Sequence, residues 1–360
     1  MKDFNRALVV AGVSLALSVG LHSTVVAQQA STPQLTMSET VRLSMAGRTL
    51  SAEDATKLEK ALEANPNDVA ARISLIAFYG THRDEPFRSK KDDQALWFIR
   101  NMPDSDILRW IIYARLHPRV DKGFAEAKQL WLDNLNKFKG NTIVLGNAAD
   151  FFQTSDLPFT EKLIKEAAAL EPTKVRWPTE LGHVLMMETQ SANGDAQREF
   201  ATRAYEQFSL AYSMAKGAEQ SILLSRLPVA AFEAGDLKHA REWAVEVLNQ
   251  AATGKTQALE DAVHHAQIVL GRVALVNGDL KEAKERLVLA GQTAGSPALK
   301  TFGPNMSLAK ELLEKGERDT VVKYFDECAT FWKDHQEKLA QWTAQVRAGE
   351  TPQFGANLLY

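Results

Sequence analysis

One cysteine in 360 residues, Cys328, leaves nothing with which to form an internal disulfide. Charge of a single sign is missing too: 42 Lys and Arg face 45 Asp and Glu, a formal net charge of −3. Such balance offers no basic footprint, so neither nucleic acid nor anionic lipid is expected as a partner. No segment alternates with period two, which argues against strands. The apolar run from Ala7 to Leu21 stops short of the roughly 20 residues a membrane-spanning helix needs. No HExxH pattern is present and no Cys partners a His, so no metal is expected. Gly254, Lys255 and Thr256 look like the end of a phosphate-binding loop, but Asn249 stands where that loop needs Gly. Nothing resembles GxSxG, and exposed neighbours such as Asp92 with Asp93, or Glu260 with Asp261, read as solvated acid pairs. Catalytic residues, cofactors and metals are therefore all absent from the expectation.

The beginning of the chain is an export signal. Lys2 and Arg6 precede the uncharged apolar run, and Val25 and Ala27 occupy the small-residue positions of a signal-peptidase site, placing cleavage before Gln28. Residues 1–27 are thus a signal peptide. No Cys follows the run to carry a lipid, so no stable membrane anchor is expected after cleavage, and the mature chain belongs in the periplasm or outside the cell.

From about Pro33 onward, hydrophobic positions recur at helical spacing. Leu259, Ala262, Val263, Ala266, Leu270, Val273 and Ala274 mark one helix face, Gly278 and Asp279 interrupt it, and Leu280, Ala283, Leu287 and Ala290 mark the next. The text around that interruption occurs twice: Gly235, Asp236, Leu237, Lys238 and Gly278, Asp279, Leu280, Lys281, offset by 278 − 235 = 43 residues. A repeated turn and helix start of this length signals stacked helix pairs. Gly accepts the turn conformation, Asp caps the following helix, and the small Ala240 and Ala283 let helices approach, so each has a structural job.

These residues resemble the tetratricopeptide repeat, a helix-turn-helix unit of about 34 residues. Leu270 and Gly271 fall at its seventh and eighth places, Gly278 in its turn, Leu280 at its aromatic-or-Leu place, and Ala283 and Ala290 at its two Ala places, with Gly295 where Pro is usual. The preceding unit keeps Leu227, Gly235, Leu237 and Ala240 but has Pro228 at the small-residue place. Ala61 with Pro66, and Ala167 with Pro172 followed by Leu181 and Gly182, repeat fragments of the pattern earlier in the chain. The resemblance implies an all-α fold, a right-handed superhelical array of antiparallel helix pairs, an α-solenoid. The divisions are 1–27 signal peptide, 28–50 polar lead-in, 51–290 repeats, and 291–360 an irregular loop with C-terminal helices and tail. That last part resembles the ends of exported bacterial repeat proteins of unknown role.

Three segments break the pattern. Thr81 to Asp93, dense in charge around Pro86, reads as a long solvated loop; Gln190 to Asp195 reads as a loop before a helix from about Gln197. Gly291 to Ser307 reads as a long connection into a helix from about Leu308 to Lys315, either with an ordinary N-cap or with an N-terminus that receives an anion. The tail Phe354, Gly355, Ala356, Asn357 echoes Phe302, Gly303, Pro304, Asn305.

An array of this kind holds an extended peptide or partner helix along its groove. Candidate contacts are Arg176 with Trp177, Trp332 with Lys333, and Asn305 and Ser307 at the irregular loop, whereas Trp131 and Trp243 sit on apolar faces and read as core. The expectation is a non-enzymatic exported scaffold binding a protein or peptide. The alternative is an enzyme or small-ligand receptor built near the 291–307 loop, for which His264 or His265 would need to face a cavity beside a carboxylate of shifted ionisation.

Overall fold

The computed structural model describes residues 35–82, 84–254 and 260–359; residues 1–27, expected from the sequence to be a signal peptide, and Lys255 and Thr256 lie outside the described residues. The described residues are helical throughout their regular structure, with no strand among them. The helices are α1 (Met37–Gly47), α2 (Ala52–Ala64), α3 (Val69–Thr81), α4 (Phe87–Asn101), α5 (Phe124–Lys137), α6 (Thr142–Phe152), α7 (Leu157–Leu170), α8 (Arg176–Ser191) and α9 (Gly194–Met214). They continue as α10 (Ala218–Leu224), α11 (Leu227–Glu233), α12 (Leu237–Ala252), α13 (Glu260–Val276), α14 (Leu280–Gly291), α15 (Pro297–Phe302), α16 (Ser307–Glu314), α17 (Arg318–Cys328) and α18 (Gln336–Arg347). None is long and apolar enough to cross a membrane, and no group of three or more metal-ligating side chains is found among the described residues.

The chain is an array of antiparallel helix pairs, α6–α7, α8–α9, α11–α12, α13–α14 and α16–α17, each packed on the next. The expected turns form as read. Gly235 and Gly278 take φ of +80° and +82°, and the amides of Asp236 and Asp279 each donate to a carbonyl five residues back, at Ala231 and Ala274, over 2.9 Å. Asp236 then accepts from the His239 amide at 3.1 Å and Asp279 from that of Glu282 at 2.9 Å, capping α12 and α14. The same turn recurs at Gly316 (φ +83°) and Gly349 (φ +88°), where Glu317 and Glu350 donate to Leu312 and Gln345. The sequence marks the turn at Gly316 by its glycine, but neither copy carries the Gly-Asp text of the earlier two.

Close approach explains the small residues. A Cβ on Gly271 of α13 would lie 2.2 Å from Leu308 Cδ2 of α16, and one on Gly182 of α8 would lie 2.7 Å from the Phe208 ring of α9. Ala240, Ala283 and Ala290 are buried, as close helix packing requires. The apolar core runs from Ile73 to Val273 without a gap near residue 190, and a second cluster continues from Ile268 to Phe354. Helix α13 contributes to both: Val269, Leu270 and Val273 to the first, Ile268 and Ala274 to the second.

Three expected loops are corrected. Thr81 to Asp93 is mostly helix: α3 runs to Thr81 and α4 starts at Phe87. Its charges are not all solvated, because Asp92 is 4% exposed, accepts from the Gly123 amide at 2.9 Å and pairs with Lys91. The break near 190 is only Ala192 and Asn193, since Gly194 opens α9. The 291–307 segment contains its own helix, α15, started by Ser296, whose Oγ accepts from the Leu299 amide at 3.0 Å.

Candidate functional site

A cavity of about 400 Å³ opens between α6 and α8, the first helices of two successive pairs. Arg176, Thr179, Glu180, His183 and Val184 come from α8, and Ala149 and Asp150 from α6, with Gln153 just past its end. Thr160 and Ile164 of α7 form its floor, Glu219 of α10 its rim, and Arg109 enters from the short 3-10 turn Asp106–Trp110.

Arg176 and Glu180 are one helical turn apart, and the Arg176 Nε donates to Glu180 Oε1 at 2.6 Å. Arg109 Nη2 reaches the same oxygen at 3.1 Å, so two guanidiniums converge on one carboxylate. Space for the Arg176 head comes from Gly146 of α6, where a Cβ would lie 2.3 Å from Nη2. Its other face stacks on Trp177, with Cζ 4.4 Å from the ring centroid. Beside this pair, Arg115 donates to Asp150 at 3.3 Å and to the Arg109 carbonyl at 3.0 Å, tying the 3-10 turn to α6. Burial pushes the Glu180 carboxyl above its ordinary range, with the Asp150 charge adding to the rise while Arg176 and Arg109 oppose it. The result is a walled polar cavity with fixed donors of one sign and carboxylates of the other. Such a wall can bind a polar group through several oriented hydrogen bonds, as recognition of peptide side chains or backbone requires.

Of the sequence-expected contacts, only Arg176 lines this cavity. Trp177 is 2% exposed and donates to Glu171 at 3.0 Å, so it serves the core as the platform under Arg176. Trp332 is 1% exposed and packs between His335 and Trp342; the groove expectation for it is corrected by burial. Lys333 is exposed on a 3-10 turn after α17, and the cation facing the Trp332 ring is Lys338, at 5.2 Å. Trp131 is buried, and Trp243 is half-buried with its Nε1 donating to Tyr205 at 3.0 Å, in keeping with core roles. Arg109 and Glu180 were not legible as partners because they lie 71 residues apart; the available signal was the Arg176 and Glu180 spacing on one helix.

Asn305 and Ser307 are buried at 3% and 9% and engaged internally. Asn305 Oδ1 accepts from the Ser307 amide at 2.8 Å and from its hydroxyl at 2.6 Å, while the Met306 amide donates to the Asn357 carbonyl at 2.7 Å. The Ser307 amide at the start of α16 is thereby taken by the Asn305 side chain, which supports the capping reading of this helix end. His264 is fully buried: its Nδ1 contacts the Ala290 carbonyl at 2.9 Å and its Nε2 accepts from the Asn305 amide at 3.0 Å. Both ring nitrogens are spent on structure, and burial lowers its pKa to about 4, which keeps the ring neutral.

The two echoing segments touch each other. Asn357 Nδ2 donates to the Phe302 and Pro304 carbonyls at 3.0 Å each, and Asn305 Nδ2 donates to the Leu359 carbonyl at 3.2 Å. Asn357 thus holds the backbone of the other segment and Asn305 that of Leu359 just beyond the tail segment, a clasp at the C-terminal end of the array.

No family model and no curated protein matches the chain. Among solved structures it is similar to one described as human IFIT1 dimer with PPP-AAAA, at 15% identity and a TM-score of 0.48, covering 87% of this chain and 73% of that one. The fold stated above rests on the helices, turns and contacts themselves.

Proposed function

We propose that the chain is an exported helical-repeat scaffold that holds an extended segment of a protein partner along the face formed by the first helices of its pairs. The observation that carries this reading is the polar cavity between α6 and α8, in which Arg109 and Arg176 are pre-positioned on Glu180. Fixed donors and acceptors lower the ordering cost of binding a flexible polar segment. Export rests on the charged flank, the apolar run and the Val25 and Ala27 site. An enzyme or small-ligand site at the 291–307 segment has less support, since His264, Asn305 and Ser307 bond to one another and to the tail.

Photo-crosslinkers placed at Gln153, on the cavity, and at Lys238, exposed on α12, test the reading in the cell that makes the chain. One protein adduct is expected from Gln153, none from Lys238, and at least tenfold less adduct at Gln153 when Arg176→Ala is added. Equal adducts from both positions, or none from either, would overturn it.

A further inference from the structure

An amide can only donate, so the 3.0 Å contact between the Asn305 amide and His264 Nε2 fixes Nε2 as an acceptor. The ring proton therefore sits on Nδ1, which donates to the Ala290 carbonyl at 2.9 Å. Only the neutral ring in this one tautomer satisfies both bonds. A proton on Nε2 would set two N–H groups against each other across 3.0 Å, and full burial denies the new charge its hydration. The whole C-terminal joint depends on that contact. The Asn305 carbonyl accepts from the Tyr324 hydroxyl at 2.7 Å, its side chain caps the start of α16 and holds the Leu359 carbonyl, and the next amide, of Met306, donates to Asn357. One imidazole thus ties α13 and α14 to α16, α17 and the tail.

Both ring nitrogens meet backbone, so no carboxylate sits against them to shelter a cation. Asp261, one turn earlier on α13, accepts from the Ser296 hydroxyl. His265 lies beside His264 with the rings 5.4 Å apart, and burial, the His264 ring and the Arg226 charge push its own pKa down to about 3. The buried residues of α14 and α16 are uncharged. From α17, the Tyr324 ring stacks on His264 at 6.5 Å, and Cys328 has its thiol pushed up by burial. For His264, burial outweighs the bond to Ala290 and the Asp261 charge, and its folded pKa of about 4 lies below the ordinary 6.5. Opening therefore takes up a proton: the joint is at full strength above about pH 6.5 and weakens as pH falls toward 4.

We propose that His264 is an acid-released latch: neutral, it locks α16, α17 and the tail onto α13 and α14; protonated at Nε2, it drops the Asn305 amide and frees that end of the array while the first core stays closed. The latch does not depend on the partner proposed above. Cys328 reports on it, because this buried thiol contacts Tyr324. Its reaction with dithiodipyridine, a disulfide reagent that stays reactive in acid, is timed in the full chain with and without unfolding urea at each pH, and the ratio of rates is the protection. Ala148→Cys supplies the same ratio for the first core, where Ala148 is buried. Between about pH 6 and pH 4.5 the Cys328 protection should fall roughly tenfold per pH unit, with that at position 148 unchanged. In His264→Gln, which keeps an acceptor for the Asn305 amide but does not titrate, the fall should be shallower by about that factor. Protection of Cys328 that is independent of pH, the two thiols opening together, or the same slope in His264→Gln would overturn the latch. If His264→Gln leaves Cys328 open even at about pH 7.5, nitrogen NMR of the parent chain labelled at histidine decides. The His264 ring should keep a bare Nε2 down to the pH at which Cys328 opens, and a doubly protonated ring with Cys328 still protected would overturn the proposal.

Discussion

Glu188 shows how a single side chain can work against the fold. It is 8% exposed, and its Oε2 has no hydrogen-bond partner. Burial, with the Glu161 charge nearby, holds its carboxyl above the ordinary range, so folding takes up a proton here. The site therefore favours the fold below the usual carboxylate pKa of about 4.3, and that contribution is lost as pH rises through the raised value. Glu188→Gln should be more stable than the parent by roughly 1 kcal/mol at pH 7, with the gap closing on acidification, as read by urea unfolding across pH. A gap independent of pH would remove the ionisation from the account. Asp279 works the other way: its carboxylate caps α14, and Asp279→Ala should cost about 1 kcal/mol in the same measurement. That role was legible from the Gly-Asp text alone, because a cap is a local interaction. Glu188 was not, since its surroundings come from other helices.

Helix α1 meets α3 at a point with no room to spare. A Cβ on Gly47 would lie 2.3 Å from the Ser74 carbonyl oxygen, which is backbone inside a helix and cannot step aside. Gly47→Ala should cost about 1–3 kcal/mol, and a thermal shift equal to that of an exposed control substitution would show that α1 is not docked as described. The elements nearest the repeated text, α11 to α14, were readable because one period carries turn, cap and contact together. The turn persists at Gly316, between α16 and α17, and at Gly349, after α18, with Glu following where the repeated text has Asp, so geometry persists where the words do not. The candidate cavity was harder still. Arg176 was visible as a charge beside Trp177, yet Arg109, the second guanidinium on Glu180, sits on a 3-10 turn with no helical period to announce it.

On the scale of the molecule, α13 joins two apolar clusters, so opening either one exposes part of it. Its amides should be among the slowest to exchange with deuterium, and α13 exchanging as fast as α2, which buries only Ala55, would count against a continuous array. Export has an equally direct check: mass spectrometry of the chain recovered outside the cytoplasm should find it beginning at Gln28. The matching turns at Gly235 and Gly278 carry a further consequence. Cutting out residues 236–278 would join Gly235 to Asp279 and leave Gly-Asp-Leu-Lys unbroken at the seam, with α11 set to pair with α14. Such an excision is a change of gauge length rather than an injury to any one turn, and the shortened chain should still unfold cooperatively, with a smaller m-value. The array would then behave as an adjustable ruler, on which the α6–α8 cavity keeps its place while the far end and its tail move closer.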